Sequence, residues 1–155
     1  MRLEGGVLMR IRLSLAWVKT GSSVSRSFKS SPAYLLLQDY VMRISRFFPC
    51  EAGEYLPKAR SLVWVCERDK KSKPLSSNDL AKELEKVLNS GIQELHVVIG
   101  DADGFSAKEL ETMKPALKWS FGPLTLPHEL AAVVAAEQIY RAITILRNHP
   151  YHSGH

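Results

Sequence analysis

Two short, uninterrupted apolar runs constrain the fold of this chain more than any other feature of its sequence. Residues 61–66 (SLVWVC) and 95–100 (LHVVIG) are too short for typical helices, and such runs are typical of strands buried on both faces of a parallel sheet. Residues 11–17 alternate with a period of two and predict an earlier strand. Residues 47–50 predict the start of a short second strand.

Each of four predicted helices has a recognisable start signal. In chain order these are Ser31-Pro32, Ser76 or Ser77, the capping box of Ser106 with Glu109, and Pro127. The third helix should have an apolar face from Leu110 to Leu117, although Pro115 is expected to kink or shorten it. Because strands and helices alternate, the sequence predicts an α/β fold with a mainly parallel sheet flanked by helices.

The last predicted helix, residues 127–147, is apolar almost all round. A helix of this kind needs burial on more than one face. In a chain of 155 residues the sheet can cover one side, so a second subunit is the expected cover for the other. The helix therefore predicts a homodimer.

The composition is that of one globular domain and excludes several classes of protein. With 45% hydrophobic and 24% charged residues, the chain is not expected to be disordered. We expect a single domain over residues 9–155, preceded by a loose tail over residues 1–8. Two cysteines without a CxxC motif predict reduced thiols and no metal site. No run approaches about 20 apolar residues, so we expect no membrane helix and a cytoplasmic protein.

The net charge of +5 fits a polyanionic partner without identifying one. The basic residues concentrate in the first strand, in the loop that follows it and in a loop near residue 70. They could neutralise RNA phosphates or simply be solvated. These residues are Arg10, Arg12, Lys19, Arg26, Lys29, Lys70, Lys71 and Lys73.

Four ordered motifs in the second half of the chain carry a resemblance to a known family. They are VVIGDADG at 97–104, LTLPHEL at 124–130, EQIYRA at 137–142 and HPYH at 149–152. In this order they resemble the bacterial ribosomal RNA large subunit methyltransferase H family. The resemblance is close from about residue 95 to residue 152, and the first strand and first helix match in outline.

The resemblance implies a fold, a reaction and a set of partners. The family belongs to the SPOUT methyltransferases, α/β proteins with a C-terminal trefoil knot, which is an exception to the rule that chains do not thread loops. Its members are homodimers with each cofactor pocket at the subunit interface. They transfer a methyl group from S-adenosylmethionine to N3 of a pseudouridine in 23S ribosomal RNA, within the assembled ribosome.

The resemblance also assigns the cofactor to three loops. Three glycines there permit close approach of the backbone to a ligand, although glycine and proline also punctuate ordinary loops. The implied cofactor-binding residues are Val65, Gly100, Asp101, Gly104, Gly122, Pro123, Leu124, Thr125, Leu126 and Pro127.

Four further residues are candidates for catalysis or RNA contact. His128 follows the last cofactor loop and could contact a phosphate or assist proton removal, or it could be a capping or packing residue. Arg141 could contact RNA or a second subunit, or it could pair with Glu137 one turn away. Tyr151 and His152 could stack on or hydrogen-bond the target nucleotide, or they could belong to a frayed end.

Two features of the sequence depart from the family pattern. Asp101 stands where family members have a second glycine, and its carboxylate could crowd the pocket. Residues 51–60 leave little room for a helix that family members have there. These departures motivate an alternative hypothesis, in which the chain is a catalytically weakened or inactive dimer that binds RNA or the ribosome.

Overall fold

The computed structural model describes residues 8–56, 61–67, 73–101, 103–122 and 124–153. The strands are β1 (Arg10–Leu15), β2 (Cys50–Gly53), β3 (Ser61–Cys66), β4 (Lys73–Pro74), β5 (Glu94–Ile99) and β6 (Leu117–Ser120). The helices are α1 (Ser31–Ile44), α2 (Ser77–Asn89), α3 (Ala107–Met113) and α4 (His128–Leu146). Two short 3-10 turns occupy Ser25–Ser27 and Pro150–His152.

The six strands form one sheet in the order β2-β1-β5-β3-β6-β4, and every neighbouring pair is parallel. The longest strands, β1, β5 and β3, lie together in the middle. Their apolar side chains provide much of the buried core. This arrangement confirms the predicted parallel sheet flanked by helices.

Strand β6 was not predicted, because Leu117 was assigned to the apolar face of the third helix. That helix ends at Met113, and Lys114 adopts a left-handed backbone conformation with φ of 48°. Pro115 cannot continue the helical hydrogen bonding. Leu117 and Trp119 then alternate with polar neighbours as in a strand, and Trp119 is buried.

The predicted helix starts are correct to within one residue. The α1 N-cap is Ser30, whose side chain accepts a hydrogen bond from the Ala33 amide, and Ser31 is the first helical residue. The α2 N-cap is Ser76, one of the two serines considered. The capping box of Ser106 and Glu109 is present at the start of α3.

Helix α4 packs in the middle of the helical layer, with α1 on one side and α2 on the other. Most of the apolar surface that suggested a missing partner is therefore covered within the single chain. A narrow outer strip remains, in which Leu130 is 44% exposed. The homodimer stays a prediction. Its support from α4 is this exposed strip and not half of the helix surface.

Arg12 belongs to the fold and is not available to RNA phosphates. Its side chain is buried on the face of the sheet opposite α4, where Nη1 donates to Glu51 Oε1 at 2.6 Å. Nη2 donates to Glu54 Oε1 and to the Glu54 carbonyl, both at 2.8 Å. The neighbouring Arg10 is exposed at the amino end of β1.

Several sequence-based expectations fall outside the described residues. They include most of the tail over residues 1–8, Lys70 and Lys71, and nothing is described of the Lys73 side chain. Met9, the first residue of the expected domain, is fully buried. Among the described residues, no helix is both long and apolar enough to cross a membrane.

One carboxylate joins the start of α4 to the start of α1. Glu129 is buried, and its two oxygens accept hydrogen bonds from the amides of Lys29 at 2.8 Å and Ser30 at 2.9 Å. Burial opposes ionisation of this carboxyl, but the two amides and the nearby His128 and Lys29 outweigh that effect and lower its pKa. This contact between residues a hundred positions apart was not predicted.

The exchange of Glu129 for glutamine should destabilise the fold in a pH-dependent way. At pH 7 we expect Glu129→Gln to lower the free energy of unfolding by about 1–3 kcal/mol, because a charged acceptor of two buried amides is lost. Since the folded pKa lies below the ordinary 4.5, the stabilisation is complete well above that pH. This stabilisation is lost as the pH falls through the pKa that Glu129 has in the folded protein.

Urea denaturation followed by tryptophan fluorescence, from pH 7 to pH 3.5, measures this effect. The difference in the free energy of unfolding between the wild type and Glu129→Gln should become smaller below about pH 4.5. Glu85→Gln, at an exposed position of α2, is the matched control and should change little at any pH. A difference that stays constant over the whole range would contradict the proposed role of the charge.

Candidate functional site

A cavity of about 390 Å³ lies at the carboxyl ends of β3, β5 and β6. In open α/β sheets this edge is where ligands bind, because the loops that follow parallel strands meet there. The first residues of α4 complete the wall. The lining residues are Cys66, Glu67, Ile99, Gly100, Asp101, Gly104, Ser120, Phe121, Gly122, Leu124, Thr125, Leu126, Pro127, His128 and Ala131.

The loop after β5 needs its glycines and uses Asp101 as a turn residue. A side chain at Gly100 would place its Cβ 3.0 Å from the Phe105 ring, and Gly104 has a φ of +74°. Asp101 Oδ1 accepts a hydrogen bond from the Asp103 amide at 2.9 Å, and the Asp101 carbonyl accepts one from the Gly104 amide at 3.1 Å. The Asp101 carboxylate therefore stabilises the turn, and the cavity persists beside it.

The loop after β6 is held at its first turn by Ser120. The Gly122 amide donates to Ser120 Oγ at 3.1 Å, and Gly122 has a φ of +90°, which favours glycine. Beyond this turn the chain exposes Leu124, which is 70% accessible, before Pro127 leads into α4. This loop therefore presents backbone groups and apolar side chains to the cavity.

The structure brings eight of the ten predicted cofactor residues to the cavity wall. Val65 does not line it, because that side chain points to the opposite face of the sheet and packs with Val63 and Val98. The next two residues, Cys66 and Glu67, line it instead. Pro123 lies outside the described residues. The eight that line the cavity are Gly100, Asp101, Gly104, Gly122, Leu124, Thr125, Leu126 and Pro127. Their role in cofactor binding stays a prediction.

The other lining residues that sequence reasoning missed carried weak signals. Ala131 follows His128 by three positions, so helical periodicity places both on one face of α4. Cys66 could have been found from the alternation of β3, in which Val65 and Cys66 point to opposite faces. Burial raises the pKa of the Cys66 thiol, which keeps it protonated at neutral pH.

His128 is the predicted catalytic residue that lies at the cavity. Its side chain is 27% exposed, and Nε2 lies 3.8 Å from Glu129 Oε2. The Trp17 ring packs edge-to-face against the imidazole with a centroid separation of 4.6 Å. The imidazole is thus held between a carboxylate and an indole, with one side open to the cavity. A role for His128 in proton transfer stays a prediction.

Arg141 and Tyr151 lie away from the cavity of their own chain. Arg141 follows His128 by thirteen residues, or about 20 Å along a helix axis. Its Nη2 donates to Glu137 Oε2 at 2.7 Å, so the ion pair considered as an alternative is present. Tyr151 Oη donates to the same oxygen at 2.8 Å. The functional roles of Arg141 and Tyr151 stay predictions.

Residues 149–153 pack against α4. The Tyr151 ring packs against Tyr140 at 4.6 Å, and the Arg141 guanidinium lies 5.2 Å from the Tyr151 ring centroid. Burial, together with the hydrogen bonds to Tyr40 and Glu137, raises the Tyr151 pKa, so the hydroxyl stays a donor. His152 Nδ1 is buried without a hydrogen-bond partner among the described residues. A role for His152 in nucleotide contact stays a prediction.

No cluster of three or more metal-ligating side chains occurs in the parts of the chain that the structure describes. Cys50 and Cys66 are both free thiols. The cavity is lined by glycine backbones, apolar side chains and a few polar side chains, a composition typical of sites for organic ligands.

Comparison with known proteins places this site in a family. A family model described as a predicted SPOUT methyltransferase matches residues 49–152. Three relatives are each named ribosomal RNA large subunit methyltransferase H. The one from Koribacter versatilis is 36% identical over 138 residues, which is 82% of this chain and 92% of that protein.

The relative from Xanthomonas oryzae pv. oryzae (strain PXO99A) is 44% identical, over 74% of this chain and 85% of that protein. The relative from Psychrobacter sp. (strain PRwf-1) is 46% identical over 96 residues, which is 62% of this chain and 56% of that protein. The family match spans both cavity loops and the whole of α4. The chain therefore belongs to the ribosomal RNA large subunit methyltransferase H family of SPOUT methyltransferases.

Proposed function

We propose that this chain is an S-adenosylmethionine-dependent methyltransferase that modifies large-subunit ribosomal RNA, at N3 of a pseudouridine. The observation that carries the proposal is the cavity at the carboxyl edge of the sheet. It is bounded by the two glycine-containing loops and by His128, all within the segment that matches the family.

The cavity fits the cofactor in size and in chemistry. Its volume of about 390 Å³ lies within the range of about 300–1,000 Å³ usual for small-molecule sites. Ile99, Leu126 and Ala131 offer apolar surface for the adenine ring. The carboxylates of Glu67 and Asp101 can accept hydrogen bonds from ribose hydroxyls or from the ammonium group. The glycine backbones leave room for close approach.

The residues around the cavity perform the steps that methyl transfer requires of a protein. When bound, S-adenosylmethionine supplies an electrophilic methyl group on its sulfonium. The apolar lining excludes water, and the loops fix the orientation of the two reactants. The His128 imidazole accepts the proton that the target nitrogen loses as it is methylated. Trp17 and Glu129 hold that imidazole in place.

The alternative of an inactive ribosome-binding dimer has no observation in its favour. Asp101 and the short 51–60 segment were its two motivations. The Asp101 carboxylate bonds to the Asp103 amide while the cavity remains open. Methyl transfer to unmodified ribosomes by the wild-type protein would exclude the alternative directly.

Filling the cavity from α4 should block the cofactor without disturbing the fold. Ala131→Trp places an indole where the cofactor would lie, at a half-buried position of α4 that lines the cavity, and should weaken S-adenosylmethionine binding about tenfold or more, equivalent to about 1.4 kcal/mol. Circular dichroism checks that the variant is folded. Isothermal titration calorimetry measures the Kd. Ala107→Trp, at the exposed start of α3, is the control and should bind as the wild type does. Equal affinities in both variants would place the cofactor elsewhere.

Removal of the imidazole should affect the chemical step and not cofactor binding. We expect His128→Ala to lower kcat for methyl transfer by about 10²–10⁴-fold, the usual contribution of a positioned acid or base. The Kd for the cofactor should stay within about twofold, because the cavity is bounded mainly by the two loops. Multiple-turnover transfer of radiolabelled methyl to ribosomes measures kcat, and single-turnover transfer isolates the chemical step. A variant with unchanged kcat would remove His128 from the mechanism.

We also propose that the protein acts as a homodimer. Support comes from apolar side chains on the outer faces of the adjacent helices α1 and α4. Leu35 is 64% exposed, Met42 is 69% exposed and Leu130 is 44% exposed. A second subunit on this surface would bury them and could bring its Arg141 and Tyr151 to the cavity.

A charge on this surface should separate the subunits. In light scattering we expect the wild type at twice the 17.4 kDa of one chain and Leu35→Asp at 17.4 kDa. Leu56→Asp is the matched control, because Leu56 is also exposed, at 40%, but follows β2 on another part of the surface. A dimer that survives Leu35→Asp, or a wild-type monomer, would contradict the placement of the interface.

Two further properties of the family belong to the proposal. One is the C-terminal trefoil knot, supported by the position of both cavity loops and of α4 at one edge of the sheet. A crystal structure with the chain traced through residues 95–153 tests it. The other is action in the cytoplasm on the assembled ribosome, which methylation assays on ribosomes and on protein-free RNA distinguish from action on free RNA.

A further inference from the structure

The loop between β1 and α1, residues 16–30, borders the proposed active site at both of its ends. At its start, the Ala16 amide donates to the carbonyl of Ile99, which lines the cavity. At its end, the amides of Lys29 and Ser30 bond to Glu129, the neighbour of His128. We call residues 16–30 the rim loop.

The rim loop carries more positive than negative charge, although the Lys29 charge acts on the nearby Glu129 carboxylate. Residues 16–38 contain Lys19, Arg26 and Lys29 and no acidic residue. All three cationic residues are exposed, and none forms an ion pair within 4.0 Å with a carboxylate in the described part of the chain. The carboxylates that touch the loop, Glu54 and Glu129, already accept hydrogen bonds from Arg12 and from backbone amides.

The other two basic residues of residues 8–38, Arg10 and Arg12, lie elsewhere in the structure. Arg12 is buried in its ion pairs with Glu51 and Glu54. Arg10 lies at the amino end of β1, the end of the sheet opposite the cavity. The exposed positive charge of residues 8–38 thus concentrates beside the cavity, in the rim loop.

The rim loop is fixed by internal contacts, so its cations project from an ordered backbone. Ser27 Oγ donates to the Ser23 carbonyl at 2.8 Å, and the Ser22 amide donates to the Lys19 carbonyl at 2.9 Å. The Phe28 ring packs against Trp17 at 5.7 Å, and Trp17 packs against His128. An ordered loop loses less conformational entropy when it binds a ligand.

We propose that the rim loop is the surface that binds the phosphates of the RNA substrate and directs the target base into the cavity. The inference rests on the proposed function, because it assumes that the substrate of the cavity is RNA. Lys19, Arg26 and Lys29 bind successive phosphates, and the exposed Ser22 and Ser25 hydroxyls can donate further hydrogen bonds to them. A polyanion matches a loop whose charged side chains are all cationic and whose ends border the cavity.

The test compares two triple variants with the same change in net charge. One is Lys19→Ala/Arg26→Ala/Lys29→Ala in the rim loop. The control is Arg10→Ala/Lys82→Ala/Lys86→Ala, whose cationic residues are exposed at the far end of β1 and on α2. The readouts are kcat and KM for unmodified ribosomes, the Kd for S-adenosylmethionine, and the salt dependence of binding to protein-free large-subunit ribosomal RNA without cofactor.

We expect the rim-loop variant to raise KM for ribosomes about tenfold, with kcat and the cofactor Kd within about twofold of wild type. Loss of three phosphate contacts should reduce the slope of log Kd against log salt by about 2, at about 0.7 per contact for single-stranded RNA. The control variant should keep KM within about twofold of the wild-type value. Its slope of log Kd against log salt should stay within about 0.5 of the wild-type slope.

Two outcomes would overturn the inference. One is an equal effect of both triple variants, which would indicate a general charge effect. The other is a raised KM for ribosomes with an unchanged salt slope on protein-free RNA, which would indicate contact with a ribosomal protein. A wild type that binds no S-adenosylmethionine and transfers no methyl group would instead reject the proposed function. RNA binding is compared without cofactor. It therefore tests the rim loop even if the wild type binds no S-adenosylmethionine.

Discussion

The parallel pairing of every strand is the constraint on which the rest of this structure depends. Because β3, β5 and β6 run in the same direction, the chain leaves the sheet at one edge three times. The three exits place Cys66, Gly100 and Phe121 around a single volume. Segments far apart in sequence thus form one site. The connections between parallel strands contain the helices that cover the sheet.

Helix α4 connects two regions of different chemistry. Its first turn supplies His128 and Ala131 to the cavity, and Glu129 attaches the same turn to the start of α1. Its second half carries Arg141, and Glu137 accepts hydrogen bonds from the Arg141 guanidinium and from Tyr151 Oη. The network already orders the chain end within one subunit, so any role in RNA contact builds on groups that the fold holds in place.

The sequence was sufficient to predict the features that depend on local rules. The apolar runs predicted β3 and β5, the capping box predicted the start of α3, and the order of the motifs predicted most of the cavity wall. Local rules also missed β6 and chose Val65 over Cys66 for the cavity wall. The other failures involve side chains whose environment is set by distant residues. Arg12 looked like a free cation because its partners, Glu51 and Glu54, join it only when β2 pairs with β1. Nothing near residue 129 in the sequence indicates that its carboxylate meets the amides of Lys29 and Ser30.

The short segment after β2 illustrates how the fold accommodates a departure from its family. The face of the sheet below this segment is polar at its centre, where Ser14 Oγ lies 3.2 Å from His96 Nδ1 and Glu94 Oε1 lies 2.7 Å from His96 Nε2. Buried polar groups need such partners and a cover that excludes water. Tyr55 packs edge-to-face on His96 at 5.7 Å, and the Glu54 side chain and carbonyl both bond to Arg12. Two consecutive residues beyond β2 thus cover part of this polar face, Tyr55 with its ring and Glu54 through its bonds to Arg12. The cavity lies beyond the other strands of the sheet, so the shortened segment leaves the candidate site intact.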